Sequence, residues 1–362
     1  MACSPTSSRE SSPASTPEPT RGTKRTQIDL ELTKSGRQKA QKSCPLVGVG
    51  KHLARTVDMF HNPIAILKFG LEYDEDSEAT YSTDDQRKYA SFTSILLMDL
   101  DVEEKIYHPD TTAAMVKAIG KEIYEGQKSA RLEDTHKLKR AVIDWLGDDV
   151  QPHISRTRKE GRGFNHSATA VQLCPAELPY SEEICIQLRE GKCEIDGEPV
   201  SGLDWPVFVF AGRYNPHRPL EGLFQGNFLL KGYKMIFIAP SAVDSDGNDS
   251  RATRAGNAAL HNMTHVTPAS IAYVATQVYF ALSSQTIFKK DNVVTDSMRF
   301  YNGILDFFDN PKFAVCAKEI LAWWDMQIFP QTTQRTTNGK PKGTLARMAA
   351  RLVDMTIQSD EA

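Results

Sequence analysis

A chain of 362 residues is long enough for one large domain or two modest ones. Its 43 Lys and Arg against 46 Asp and Glu leave a net charge of -3, which argues against a generic polyanion binder, because such domains are strongly basic. Apolar residues at 40% and charged residues at 25% suffice for a buried core over most of the length, diluted by polar segments.

Residues 1–44 read as a disordered tail. Ser4 to Thr20 is dominated by Ser, Thr and Pro and has too little apolar surface to offset the entropy of ordering. Ser4-Pro5, Ser12-Pro13 and Thr16-Pro17 have the form of proline-directed phosphorylation sites. A basic spread from Arg21 to Lys42 has the composition of a nuclear localisation signal, though dispersed. No apolar stretch follows Met1, so no secretory leader is expected.

A helical domain is expected from 45 to 330. Leu46, Val49, Leu53, Val57 and Phe60 recur at helical spacing, and Pro63 separates them from a short second helix, Ile64 to Leu71. Glu72 to Asp85 reads as an acidic loop without a calcium-loop pattern. Three helices follow: Asp84 to Asp99, Asp110 to Gly126 and Ser129 to Leu146, with glycines at the ends of the last two. Gln151 to Asn165 is polar and basic; within it Arg156 to Arg162 has the charge to touch phosphates but reads first as a solvated surface loop. Glu182 to Arg189 reads as a short helix, Asp196-Gly197 as a turn, and Val207 to Phe210 as the one tempting strand.

The last third is the most regular. Leu220 to Ile238 is apolar nearly all round and reads as a central helix, too interrupted by Gln225, Asn227, Lys231 and Lys234 to cross a membrane. Thr267-Pro268 opens a helix with an N-cap and an N1 proline, and Ile271, Val274, Val278 and Leu282 form its buried stripe. Met298 to Phe308 and a segment from Pro311 through Trp323 and Trp324 give two more. Residues 331–362 are polar and loose, with a short helix possible near the end. The fold class expected is all-α: a single irregular multi-helix domain with few or no strands.

Motifs that carry chemistry are weak. His108-Pro109-Asp110 reads as a helix start. His261 and His265 have a zinc-pair spacing, but Asn262 stands where a zincin has its base, and no third ligand is marked. The six cysteines, Cys3, Cys44, Cys174, Cys185, Cys193 and Cys316, show no C-x-x-C pair and read as free thiols of a reducing compartment. There is no G-x-S-x-G elbow and no phosphate-binding glycine loop. No cofactor and no metal is implied. The densest polar segment is Arg251 to Thr267, where Arg251, Arg254, Asn257, His261, Asn262 and His265 precede a helix N-terminus. These residues suit contact with an anion or a partner.

Gly222-Leu223-Phe224, Lys234 through Pro240-Ser241, Asn257 to Thr264, Val266 to Ser284, and Leu321-Ala322-Trp323-Trp324 up to Phe329-Pro330 together resemble an uncharacterised domain family. It is a domain of unknown function found in many copies in mushroom-forming basidiomycete fungi. The resemblance implies one helical domain in an intracellular fungal protein, nuclear or cytoplasmic, and implies no activity. Two functions stay open: a non-catalytic interaction module binding protein or nucleic acid, and an enzyme of scattered residues acting on an anionic substrate.

Overall fold

The computed structural model describes residues 45–74, 81–243, 256–286 and 297–330, all within one compact unit, Cys44–Ala362. The expected tail, the acidic stretch 75–80, Arg251, Arg254 and the C-terminal segment lie outside the described residues. Within them are twelve α-helices and a single two-stranded hairpin, so the fold is mostly α.

The first four helices are α1 (Pro45–Thr56), α2 (Pro63–Glu72), α3 (Thr83–Met98) and α4 (Leu100–Tyr107). Most of these starts have a local cause. Asn62 caps α2 before a proline at its first turn, and Ser82 and Asp85 close a capping box on α3. Asp99 caps α4, a helix that periodicity alone does not separate. His108-Pro109-Asp110 is the turn that follows. The next cap is Thr112, so Asp110 lies outside the first helical turn.

α5 (Ala113–Leu146) is one unbroken helix of 34 residues, about 50 Å long, where two were expected. Gly126 does not end it. A Cβ at Gly126 would lie 2.2 Å from the Val47 carbonyl oxygen, and one at Gly50 would lie 1.9 Å from the Ile123 carbonyl oxygen. The glycines are therefore where α1 and α5 touch backbone to backbone. Gly126→Val should lower stability by about 1–3 kcal/mol, read as a lower urea midpoint, because backbone cannot yield to the added atoms. A methyl added at Gly48 would have nothing within 4 Å, so Gly48→Ala should instead gain about 0.5–1 kcal/mol.

After α5 come α6 (Ser167–Leu173) and α7 (Glu182–Glu190), then a hairpin of β1 (Glu194–Ile195) and β2 (Glu198–Pro199). Asp196 and Gly197 make its two-residue turn at φ 52° and 82°, which is the backbone such a hairpin demands. Val207 to Phe210 is not a strand: Val207–Val209 is a single 3₁₀ turn, and Phe210 pairs singly with Leu223. The expected central helix from Leu220 is also shorter. Leu220 to Gly226 is loop, α8 runs Asn227–Tyr233, and a π-helical turn continues it over Lys234–Ile238. Gly222 (φ 71°) and Phe224 (φ 54°) take left-handed backbone that a helix cannot include.

The remaining helices are α9 (Asn257–Leu260), α10 (Pro268–Leu282), α11 (Ser297–Asp309) and α12 (Ala314–Ile328). α10 is buried almost all round and packs on α1, α5, α8 and α11. Its Thr267 cap and Pro268 match the sequence expectation, and Ser270 adds the second half of a capping box. The other end is capped from a distance. Lys159 donates to the Phe280 and Gln285 carbonyls and Arg162 to Ala281, which places a guanidinium and a lysine amine at the negative end of the helix. Both are buried, so these two residues depart from the solvated loop expected, while Arg156, Thr157, Arg158, Glu160 and Gly161 between and before them are exposed. Burial, then Arg162 and Lys139, pulls the Lys159 ammonium down to about 7.

Two apolar clusters result. Leu53, Ile66, Phe92, Ile95, Val102 and Ile123 hold α1 to α4 on the first part of α5. The larger cluster gathers Leu138, Tyr233, Phe237, Ile271, Val278, Ile304, Ile320 and Trp324 around α10. Cys174, Cys185 and Cys193 are buried free thiols. Among the described residues, no helix is long and apolar enough to cross a membrane.

Candidate functional site

α1 buries Leu46, Val49 and Leu53 and turns Lys51, His52, Arg55 and Thr56 toward α5 and the segment around α9 and α10. Arg55 is buried. Its Nε donates to Asp134 Oδ2 at 2.7 Å and its Nη2 to Oδ1 at 3.2 Å, a bidentate pair across α1 and α5. Tyr273 on α10 donates to the same carboxylate at 2.9 Å, and Gln277 donates to the Tyr273 oxygen. Arg55 Nη1 donates to the Asn257 side chain at 3.1 Å, and Asn257 in turn donates to the Ile236 carbonyl. Burial opposes the Arg55 charge, but Asp134 outweighs it, and the guanidinium pKa stands above its ordinary value. Burial and Asp134 together push the Tyr273 hydroxyl far upward.

Above this network, the His52 and His261 rings stack with centroids 4.1 Å apart and planes 15° from parallel. Burial, then His261, then Arg55, lowers His52 to about 4, and burial followed by Arg55 lowers His261. Both rings are therefore neutral near pH 7. They open onto a groove of about 320 Å³ whose lining includes Thr56, Leu97, Met98, Met263 and His265.

The structure thus sorts the residues expected to make contacts. His261 and His265 share the groove, but on no common helix face: α9 ends at Leu260, and Asn262 (φ 51°) turns the chain between them. Asn257 points inward and is bonded at both ends of its amide. The start of α10 is occupied as well, since Asp325 accepts from the Val266 N–H at 2.7 Å and the capping box takes the next donors. Sequence reasoning missed His52, Arg55 and Asp134. A charged residue on an amphipathic face gives no local sign that its partner is 79 residues away.

A titration difference should expose the stack. The folded state holds His52 below its unfolded value of about 6.5, so stability is full above that pH and is lost as pH falls toward about 4. His52→Gln should flatten the wild-type loss of thermal midpoint between these pH values; an unchanged slope would show that the stack does not resist protonation.

A second constellation lies between α1 and α3. His61 Nδ1 is 2.6 Å from Asp58 Oδ2 and its Nε2 is 2.9 Å from Asp84 Oδ1. Burial opposes its charge, yet the two carboxylates raise its pKa. Ser91 donates to Asp58. With both ring nitrogens held by carboxylates, His61 cannot take the Ser91 proton, so this is not a nucleophile–base pair. Among the described residues, no group of three or more His, Cys, Asp or Glu is placed to hold a metal ion.

A family model described as a family of unknown function, DUF6698, matches residues 125–329. No curated protein and no solved structure matches the chain.

Proposed function

This chain belongs to the DUF6698 family of unknown function, and we propose that it is a non-catalytic interaction module that grips a protein partner in the groove beside the His52–His261 stack. One observation carries the reading: the neutral His52 and His261 imidazoles share an open groove with Leu97, which is 76% exposed, and with Val57, Met98 and Met263. Contiguous exposed apolar surface of this kind marks interaction sites. Among the described residues no carboxylate, lysine or cysteine lines the groove, and the buried charges beneath it are already paired, so what favours binding is its shape, its apolar side chains and the hydrogen-bonding capacity of its imidazoles.

The contact residues in this reading are His52, Leu97, His261 and His265. Arg251 and Arg254 are candidates for the same partner by sequence position alone. A protein partner is favoured over a nucleic acid because the stacked His52 and His261 are uncharged and the chain is slightly acidic. The reading includes an intracellular, fungal setting.

Site-specific photo-crosslinking in the native cell tests it. A crosslinker at position 97 or 265 should capture one common protein, and His261→Ala should abolish that capture. A crosslinker at Val315, an exposed apolar residue on α12, is the control. The same capture pattern at 97 and 315 would sink the proposal.

A further inference from the structure

The loops that separate α6 from α8 enclose a second cavity, and its chemistry differs from that of the groove. Two short extended pairings frame it. Ala176 donates to the Trp205 carbonyl and Val207 to the Cys174 carbonyl, while Ala211 donates to the Gly222 carbonyl. Pro175 thereby pairs with Pro206 and Phe210 with Leu223. The chain there is loop in name but is fixed by backbone bonds. The cavity holds about 270 Å³.

Its lining is mostly aliphatic, with Ile195, Leu203, Leu220 and Leu223 beside three aromatic rings and two carboxylates. Phe210 and Tyr214 meet edge to face, with centroids 5.4 Å apart and planes at 71°, so they form two walls at a steep angle. Trp205 completes the aromatic lining, and Glu177 and Asp204 contribute carboxylates. Tyr214 donates to Glu177 Oε1 at 3.2 Å, and the Ser201 N–H donates to Asp204 Oδ2 at 2.7 Å, so both acids are positioned by neutral groups. Neither carboxylate has a cationic partner among the described residues, and no lysine, arginine or histidine lines the cavity. Leu203, 58% exposed, gives the lip an apolar edge.

From this arrangement we infer that the cavity is a binding site for a methylated ammonium group, held against the Trp205, Phe210 and Tyr214 rings that line it and by the charge of Glu177 and Asp204. The aromatic quadrupole attracts a cation most when that cation sheds little water on entry. Methylation lowers the hydration of an ammonium and removes the N–H donors that a carboxylate pair alone would select. A primary ammonium would favour a polar site, and a neutral alkyl group would leave two carboxylates without a counter-charge. The site shares no lining residue with the histidine groove and stands independently of the function proposed for it.

Calorimetric titration of the full chain tests the inference with three probes: choline, its neutral isostere 3,3-dimethylbutan-1-ol, and a short peptide carrying trimethyllysine. Choline should bind at least about tenfold more tightly than the isostere of the same shape, the ratio expected for cation–π and charge terms of this kind. Glu177→Gln and Tyr214→Ala, both at solvent-accessible positions, should each weaken choline binding while circular dichroism stays that of the wild type. If the peptide binds more tightly than choline, the cation comes from a modified protein; the reverse order points to a small metabolite. Equal binding of choline and the isostere, no saturable binding of any probe, or choline binding untouched by either substitution would overturn the assignment.

Discussion

Asp134→Ala is expected to cost about 3–5 kcal/mol of stability, because it leaves the Arg55 guanidinium buried without its carboxylate. Asp134 is fully buried and receives two bonds from Arg55, one from Tyr273 and one from Lys137. Without it, the carboxylate left to Arg55 is that of Glu133, at the longer distance of 3.7 Å. Tyr273 and Gln277 cannot turn to water to compensate, since they lie on the enclosed helix α10. Replacing both charges by apolar residues of similar volume, as in Arg55→Met with Asp134→Leu, should recover most of the loss, because the pair is weak in net stabilisation and strong only when halved. Tyr273→Phe removes one hydrogen bond and should cost about 1 kcal/mol. Urea denaturation of the wild type and these three variants separates the outcomes. A double variant no more stable than Asp134→Ala would mean that the pair contributes specific geometry that packing cannot replace.

Trp324→Ala is the second large effect, again about 3–5 kcal/mol, now from lost packing. Its ring centroid lies 5.0 Å from that of Tyr233, and its Nε1 donates to the Phe224 carbonyl at 3.0 Å. Phe224 is the residue held at φ 54°, so the indole both fills the core and holds a strained backbone in place. Trp324→Phe keeps much of the volume but strands that buried carbonyl, with an expected cost of about 1–3 kcal/mol. Trp323 is only partly buried against the same cluster, so Trp323→Ala should lose clearly less than Trp324→Ala. Equal losses from both alanine variants would contradict the one-sided burial of α12.

The adjacent tryptophans illustrate what was legible in the sequence. Periodicity showed that α12 has an apolar stripe, and two neighbours about 100° apart cannot both lie at its centre. Pattern could not say which is buried, because that depends on where Tyr233 and Phe224 arrive from elsewhere in the chain. Caps were readable for the same reason in reverse: Thr267 and Pro268 act within one turn. Glycine misled. At 126 it reads as a stop, yet a glycine facing the Val47 backbone is an approach point, and only the path of α1 distinguishes the two. The same limit hid Arg162. A basic, glycine-flanked segment looks solvated until the carbonyl end of α10 is placed beside it.

For the site, the segment around His261 was visible as a concentration of polar residues, but its partner His52 sits on α1 among ordinary surface positions. Stacking of two imidazoles from such distant parts of the chain is a property of the tertiary path, and no spacing rule encodes it. The aromatic cavity between α6 and α8 was equally silent, because Glu177, Trp205 and Tyr214 come from three loops without periodicity.

The pairing of α1 with α5 also sets where the chain can be cut. The family match begins at residue 125, about three turns inside the helix that starts at Ala113. A recombinant fragment trimmed to that boundary would discard Gly120, Ile123 and the whole of α1 while retaining Asp134 and Tyr273. It would expose the apolar side of the remaining α5 and enclose a carboxylate with no guanidinium to meet it. A fragment that begins at Pro45 is therefore expected to be the more stable of the two, because it keeps α1 on α5 and the Arg55–Asp134 pair intact.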